Sequence, residues 1–369
     1  MKRSTKYQRI CDAIKNDIRS GYYSPGEKLP SERKLSQHYN AAHATINKAV
    51  RELVTCGFLS KVDSLGTFVT KLDSSETPIS GKYCLLAGDP GKSGEFGEIA
   101  IALLNGIMSQ AAACGMRTQL VSTTDLHNEL LRYSLFPQSL AGVIFWNIPH
   151  CNESLILNCV EQFRDIRFVL LNYQLAEELG RYDNFYRVYN DDAEVGALAA
   201  RHLLKNGHQE FAVITFNQRW RNFAYRADGF RRELERCGIS NRLIHQYYLN
   251  FEGSTSDAVA IAQDATEKVL KFASKTTGFF TINDYIAVGI KRALRRHSEN
   301  KNLELIACDN AIPALSVLNG FSTVAIDFET MGKRAVETLT LAEPPAVYKI
   351  SPDLITLEQQ KNHAKQYRC

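Results

Sequence analysis

The sequence predicts an α/β protein in two parts, a small winged helix-turn-helix head and a larger two-lobed α/β body. Three observations carry this. Residues 5–70 read as helices followed by two short β-like runs joined by a turn. Residues 71–82 are polar and include Pro78 and Gly81, as a linker would. From Tyr83 onward, short apolar runs alternate with amphipathic helices. That alternation implies parallel sheets covered by helices on both faces, and about 270 residues of it should divide into two lobes around a cleft.

In the head, Tyr7, Ile10, Ile14 and Ile18 line one side of a helix over 5–20, which Gly21 ends. Pro25-Gly26 is a turn, because Pro presets φ and Gly tolerates φ > 0. Ser31 can cap the helix after Pro30 by accepting one of its orphan N–H groups. A further helix fits Ala42 to Cys56, with Ile46, Ala49, Val50 and Leu53 recurring at helical spacing as its inner face. His43, Asn47 and Arg51, with Ala44 and Lys48 beside them, then face away from the core. Gly57 ends this helix. Phe58–Val62 and Thr67–Thr70 follow as strands, joined through Asp63, Ser64 and Gly66.

The words PGEKLPSERKL, TINKAVRELVTCGFL and GTFV, over about residues 4–72, resemble the GntR family of bacterial regulators. The resemblance implies DNA binding by the head. Phosphate contacts are then expected from Lys28, Arg33, Lys48, Arg51 and Lys61, with Gly66 and Thr67 in the wing. His43, Thr45 and Asn47 would meet base edges or nearby backbone. The family usually opens its recognition helix with Ser-Arg and continues Thr-Val-Arg. This chain has Ala42-His43, then Thr45-Ile46-Asn47. The wing usually carries Gly-x-Gly-Thr, and its first Gly is Ser64 here. Two arginines that would touch phosphate or bases are therefore missing, and the DNA sequence read stays open.

Charge is distributed to match. Residues 1–72 hold 13 Lys and Arg against 6 Asp and Glu, a charge of +7, so the rest carries −3 of the chain's +4. A basic head on a mildly acidic body suits a polyanion for the head alone. The nine cysteines show no C-x-x-C spacing and read as buried free thiols, not a zinc site. No run approaches the 18 or so apolar residues of a membrane span. The amino terminus leads into an amphipathic helix, not an apolar leader, so a cytoplasmic location away from membranes is expected.

In the body, strands are predicted at Tyr83–Ala87, Arg117–Ser122, Val143–Trp146 and Phe168–Asn172. Further strands fit Phe211–Thr215, Gly278–Ile282, Leu303–Cys308 and Thr323–Ile326. Helices fit Ile99–Cys114, Leu155–Phe163, Val195–Asn206, Ala224–Cys237, Ile286–His297 and Thr330–Leu341. Five words resemble the effector domain of the LacI/GalR family, in that family's order over residues 83–352. They are Asn190-Asp191-Asp192 with the run Arg201 to His208, Arg226 to Phe230, Phe280 to Asp284, Cys308-Asp309-Asn310, and Ser322-Thr323-Val324. The resemblance implies a type I periplasmic-binding-protein-like domain that binds a small effector and dimerises. The expected division is a head over 1–71, a linker over 72–82 and a body over 83–369. Lobe one would take about 83–190 and 303–328, and lobe two about 191–302 and 329–369. A GntR head on such a body resembles the arabinose-repressor type of hybrid regulator.

In that resemblance the effector lies at the carboxyl ends of strands from both lobes, the usual place in open α/β sheets. Arg226 matches an arginine whose planar fork can grip two vicinal hydroxyls. Asp284 matches a carboxylate that accepts from sugar hydroxyls, and Asn172 stands where the family often has Asp. Trp146 can stack on a sugar face or fill the core, and Asn310 follows a strand end at the cleft. Phe96, Trp220 and Phe223 are weaker candidates. One arginine against a carboxylate and two amides suits a neutral sugar better than a phosphate, which wants surplus positive charge.

Gly88-Asp89-Pro90-Gly91-Lys92-Ser93 is no phosphate loop, because Leu86 occupies the position of the required first Gly. His202 and His208 are expected to help close a helix end and not to bind metal. No Gly-x-Ser-x-Gly, His-Glu-x-x-His or nucleophile–base pair stands out, and no cofactor is expected. The reading is a dimeric DNA-binding transcription regulator, a repressor of carbohydrate-use genes released by a small sugar. A sugar-binding transport receptor shares the body fold, but a basic head is foreign to it. An aminotransferase-like enzyme, the other kind of body joined to GntR heads, needs a longer domain.

Overall fold

The computed structural model describes residues 5–366 apart from 56, 71–80, 90–96, 136, 148–152, 175–181, 217–220, 251–254, 298–301, 342–343 and 345. The head contains α1 (Lys6–Arg19), α2 (Glu32–His38), α3 (His43–Thr55), β1 (Leu59–Val62) and β2 (Gly66–Val69). Ile10, Ile14 and Ile18 of α1 share a buried cluster with Ile46, Ala49, Val50 and Leu53 of α3. Fully burying each such aliphatic side chain contributes about 1.5–3 kcal/mol, so this cluster outweighs any single cap or turn. The Ser31 hydroxyl caps α2 by accepting from Lys34 N–H at 3.4 Å. β1 and β2 pair antiparallel. The segment after Pro25 makes an isolated antiparallel bridge to β2, Lys28 opposite Phe68, with Leu29 N–H donating to Thr67 O and Val69 N–H to Glu27 O, both at 2.8 Å. Ser64, which replaces the wing glycine, adopts φ +65°, a left-handed conformation that costs a serine about 1–2 kcal/mol.

The body follows in chain order as β3 (Lys82–Gly88), α4 (Glu98–Ala113), β4 (Met116–Val121), α5 (Leu126–Leu135), β5 (Leu140–Asn147), α6 (Glu153–Gln162), β6 (Phe168–Leu171) and β7 (Phe185–Asn190). Then come α7 (Asp192–Lys205), β8 (Phe211–Phe216), α8 (Arg221–Arg236), β9 (Ile244–Leu249), α9 (Thr255–Phe272), β10 (Gly278–Thr281) and α10 (Asp284–Arg296). The rest is β11 (Glu304–Asp309), α11 (Pro313–Asn319), β12 (Ser322–Ala325), α12 (Phe328–Thr340), β13 (Val347–Ile350), β14 (Asp353–Ile355) and α13 (Leu357–Gln366). Lobe one is built on the sheet β13-β7-β6-β5-β3-β4, and lobe two on β14-β12-β11-β10-β8-β9. Both are parallel except for the β12–β14 pair.

This topology corrects the expected division of lobes. Residues 303–328 do not return to lobe one: β11 and β12 pair with β10 and β14 in lobe two. Residues 329–369 do not stay in lobe two, because α12 packs on α4 and β13 pairs with β7. Only β14 and α13 go back to lobe two, where α13 packs on α11. The chain therefore crosses between lobes three times, after β7, β12 and β13. A strand's sheet is set by hydrogen-bond partners distant in sequence, which apolar patterning alone does not name. The linker expectation shifts as well: Lys82 already opens β3, and 71–80 lie outside the described residues. Elements with weak patterning, namely α5, β7, β9, α9, α11, β13, β14 and α13, were not anticipated.

The head rests on lobe one. Its apolar cluster continues through Leu126, Leu130 and Leu131 of α5 into the lobe-one core. Arg19 Nε donates to Ser134 O at 2.7 Å.

Candidate functional site

The outer face of the head is built by α3 and the wing. Lys28, Arg33, His43, Lys48, Arg51 and Lys61 are exposed, while Thr45, Asn47, Gly66 and Thr67 are half-buried. Lys28, Arg33, Arg51 and Lys61 make no ion pair among the described residues. Two predicted readers are not free. Asn47 Nδ2 donates to both oxygens of Glu32, at 3.1 and 3.0 Å, and His43 Nε2 lies 3.2 Å from Glu32 Oε2. The cause is local: Glu32 opens α2, directly after the cap residue Ser31, and α2 packs across α3. Lys48 Nζ sits 4.2 Å from the centre of the Tyr7 ring and is drawn toward α1. The described positive charge on this face is thus concentrated at Lys28, Arg33, Arg51 and Lys61.

The second candidate site lies between the lobes, at the carboxyl ends of β5, β6, β10 and β11, around a cavity of about 320 Å³. Two close helix crossings shape the lobes around it. In lobe two, a Cβ on Gly196 would lie 2.0 Å from Arg226 O, and one on Gly229 would lie 2.1 Å from Ala193 O. Lacking these atoms, α7 and α8 approach closely enough to set Arg226 against Asp192, the first residue of α7. Gly106 and Gly332 do the same for α4 and α12 in lobe one.

Arg226 is 2% exposed. Its Nε donates to Asp192 Oδ1 at 2.8 Å; its Nη1 donates to Asp309 Oδ1 at 2.7 Å and to Ile282 O at 2.8 Å. Burial alone would lower its pKa, but Asp309 and Asp192 more than reverse that and hold it cationic. Nη2 makes no hydrogen bond among the described residues, so this one nitrogen of the fork remains for a ligand. Asp284 opens α10, accepts Ala311 N–H at 3.1 Å and Thr323 Oγ1–H at 3.2 Å, and lines the same cavity. Burial, with the charge of Asp309 behind it, pushes the Asp284 carboxyl up to about 8. It is therefore mostly protonated at neutral pH and can donate as well as accept.

Asn172 lines the cavity with φ +55°, and its side-chain amide has no partner among the described residues. Asp309 and Asn310 also have positive φ, +93° and +53°. Three non-glycine residues in such conformations at strand ends mark strain concentrated at the cleft. Trp146 is buried in lobe one and lines the cavity. Asn310 is a correction: it does not line the cavity, and its Oδ1 is buried without a hydrogen bond among the described residues. Asp309 and Ala311, on either side of it, line the cavity. Phe223 lines the cavity beside Arg226; Phe96 and Trp220 lie outside the described residues.

Several cleft residues were not anticipated. Asp192 and Asp309 hold Arg226, and an acid opening a helix or closing a strand beside an expected arginine was the available signal. Glu98 and Tyr285 gave none. Tyr285 Oη of lobe two donates to Glu98 Oε1 of lobe one at 2.8 Å, and Gln174 Nε2 donates to Asp192 Oδ2 at 2.8 Å. These contacts bridge the two lobes beside the cavity. Among the described residues, no group of three or more His, Cys, Asp or Glu could hold a metal ion. No helix among them is long and apolar enough to cross a membrane.

Residues 6–69 match the bacterial regulatory proteins of the gntR family, and residues 200–355 match the periplasmic binding protein-like domain. The chain is 26% identical over 299 residues to the arabinose metabolism transcriptional repressor of Halalkalibacterium halodurans, covering 79% of this chain and 76% of that one. It is 24% identical over 377 aligned residues to the repressor of the same name from Geobacillus stearothermophilus, covering 96% and 98%. A LacI-family regulatory protein of Chloroflexus aggregans has the fold of the body, with a TM-score of 0.59 and 17% identity over 74% of this chain and 97% of that one. The protein is a DNA-binding transcription regulator in which a gntR-type head is joined to a periplasmic-binding-protein-like body, the architecture of the arabinose metabolism repressors.

Proposed function

We propose that this regulator is a dimeric repressor of carbohydrate-use genes, released from its operator by a neutral sugar held between the lobes. The observation that carries the sugar assignment is the charge inventory of the cavity. Among the described residues its one lining arginine is already matched by Asp192 and Asp309, while Glu98 adds acid. A phosphate would meet repulsion there, whereas hydroxyls find one guanidinium nitrogen, the Asn172 amide, a protonated carboxyl and the Trp146 and Phe223 rings. The volume suits a monosaccharide or small glycoside.

In this reading Lys28, Arg33, Arg51 and Lys61 contact phosphates and Thr45 reaches nearby base edges or backbone. His43 and Asn47 act there only once Glu32 releases them. Sugar binding stabilises one arrangement of the lobes over another, and the dimer passes between geometries that fit and miss the operator. Calorimetry across free sugars and their phosphates, paired with an operator gel shift, tests it. At least one neutral sugar should release heat and free the DNA, and Asn172→Gly should lose that heat while still shifting operator. Tight binding of a sugar phosphate in this cleft, with no heat from any neutral sugar, would overturn the assignment.

A further inference from the structure

A second cavity, about 370 Å³, lies where the head meets lobe one, well away from the cleft. Five cations face it: Lys15 and Arg19 from α1 of the head, and Lys82, Arg164 and Arg167 from the body. Asp165 is the one carboxylate in the lining among the described residues, and it lies 3.6 Å from Arg19 Nη2. Lys15, Lys82, Arg164 and Arg167 make no ion pair among the described residues. Arg167 is held in place through Nη1, which donates to the carbonyls of Leu339 and Leu341 at the end of α12. Lys15 is placed over the Phe58 ring, with Nζ 4.7 Å from its centre. Tyr133 and Leu339 add further carbon surface to the walls.

Four cations without an ion pair among the described residues surround one small void and repel each other, and an anion among them would remove that repulsion while gaining charge-assisted hydrogen bonds. The void is too small for a duplex, and its partly apolar walls suit a carbon skeleton. We propose that this junction binds a small organic phosphate, a phosphorylated metabolite, at a site separate from the sugar cleft. The acidic cleft repels that chemistry and the junction attracts it. Because the cations come from both head and body, the occupied site ties the head down on lobe one. A phosphorylated metabolite would thereby bias the position of the DNA-reading unit independently of the cleft.

The test is calorimetry and thermal unfolding of the full chain at constant ionic strength, with pyrophosphate and glucose 6-phosphate as probes. Lys82 and Arg164 are exposed, so Lys82→Ser with Arg164→Ser should fold normally. The wild type should bind and be stabilised by at least one probe, and the double variant should bind it roughly tenfold more weakly or worse. Arg51→Ala, which removes a cation from the outer face of α3, should leave probe binding unchanged. Arg164→Glu should weaken it beyond the single loss of charge. No binding of either probe at millimolar concentration would overturn the proposal. So would equal binding by wild type and double variant, or loss of binding in Arg51→Ala, either of which would place the anion elsewhere. None of these outcomes depends on which sugar occupies the cleft.

Discussion

Arg226 was expected to serve as a sugar clamp, and its surroundings give it a second task. It sits between two buried carboxylates, so removing it leaves both without their counter-ion. Breaking a buried pair in this way costs about 3–5 kcal/mol, far more than one lost contact to a ligand. Arg226→Ala should therefore show a clear loss of stability in urea, which makes it a poor probe of effector release by itself. Stability equal to wild type would remove the account of Arg226 as the strut of the cleft. Asp284 can be tested through pH. Its folded pKa, about 8, lies above the ordinary carboxylate value near 4, so it favours the folded state when protonated. That contribution is full below about pH 4 and is lost as pH rises through about 8. Asp284→Asn should flatten this part of the profile, so that urea unfolding at pH 5 and pH 9 differs by less than in wild type. An unchanged slope would show that the carboxyl ionises freely.

At the scale of elements, the end of α7 is locked to the start of β11 by one carboxylate. Glu304 receives His202 Nε2 and His208 Nε2 at 2.9 Å each, and Asn206 Nδ2 at 2.8 Å. Burial would push Glu304 up, but these hydrogen bonds hold it well below the usual carboxylate range. The stability it contributes is present above its unfolded pKa, near 4.3, and is lost as pH falls through the lower folded value. Glu304→Gln should cost about 1–3 kcal/mol at pH 7, with the gap to wild type narrowing in acid. A variant as stable as wild type at pH 7 would reduce the cluster to a surface decoration. In the head, α3 and the start of α2 offer a narrower set of cations than the +7 of residues 1–72 suggested. Arg33→Ala and Arg51→Ala should each weaken binding to specific and random DNA alike and reduce the salt slope by about 1. Unchanged affinity of both variants at low salt would remove this docking face.

At the scale of the molecule, α4 presents Ile101 and Met108 at 49% and 54% exposure, one face of a helix otherwise packed on α12. A single winged helix reads too few base pairs for useful specificity, so the body is expected to pair two heads. Light scattering on the full chain should report a dimer, and Ile101→Lys with Met108→Lys should yield a monomer. A wild-type monomer at micromolar concentration would move pairing to the head or to the DNA.

The sequence by itself determined what local chemistry can determine. Helical spacing of Ile46, Ala49, Val50 and Leu53 set the buried face of α3. The Ser31 cap and Gly26 turn follow from single residues, and alternating runs announced parallel α/β lobes. Trp146, Asn172, Arg226 and Asp284 converge on one cavity because strand ends in such sheets converge, whatever their order. Only the tertiary structure decided which lobe owns β11, α12 and β13, since pairing partners lie far apart in the chain. It alone placed Asp192 and Asp309 on Arg226, left Asn310 out of the cavity lining and set Glu32 beside His43 and Asn47. Each of these depends on groups from separate segments meeting within about 3 Å, a distance at which hydrogen bonds form and which no periodicity encodes.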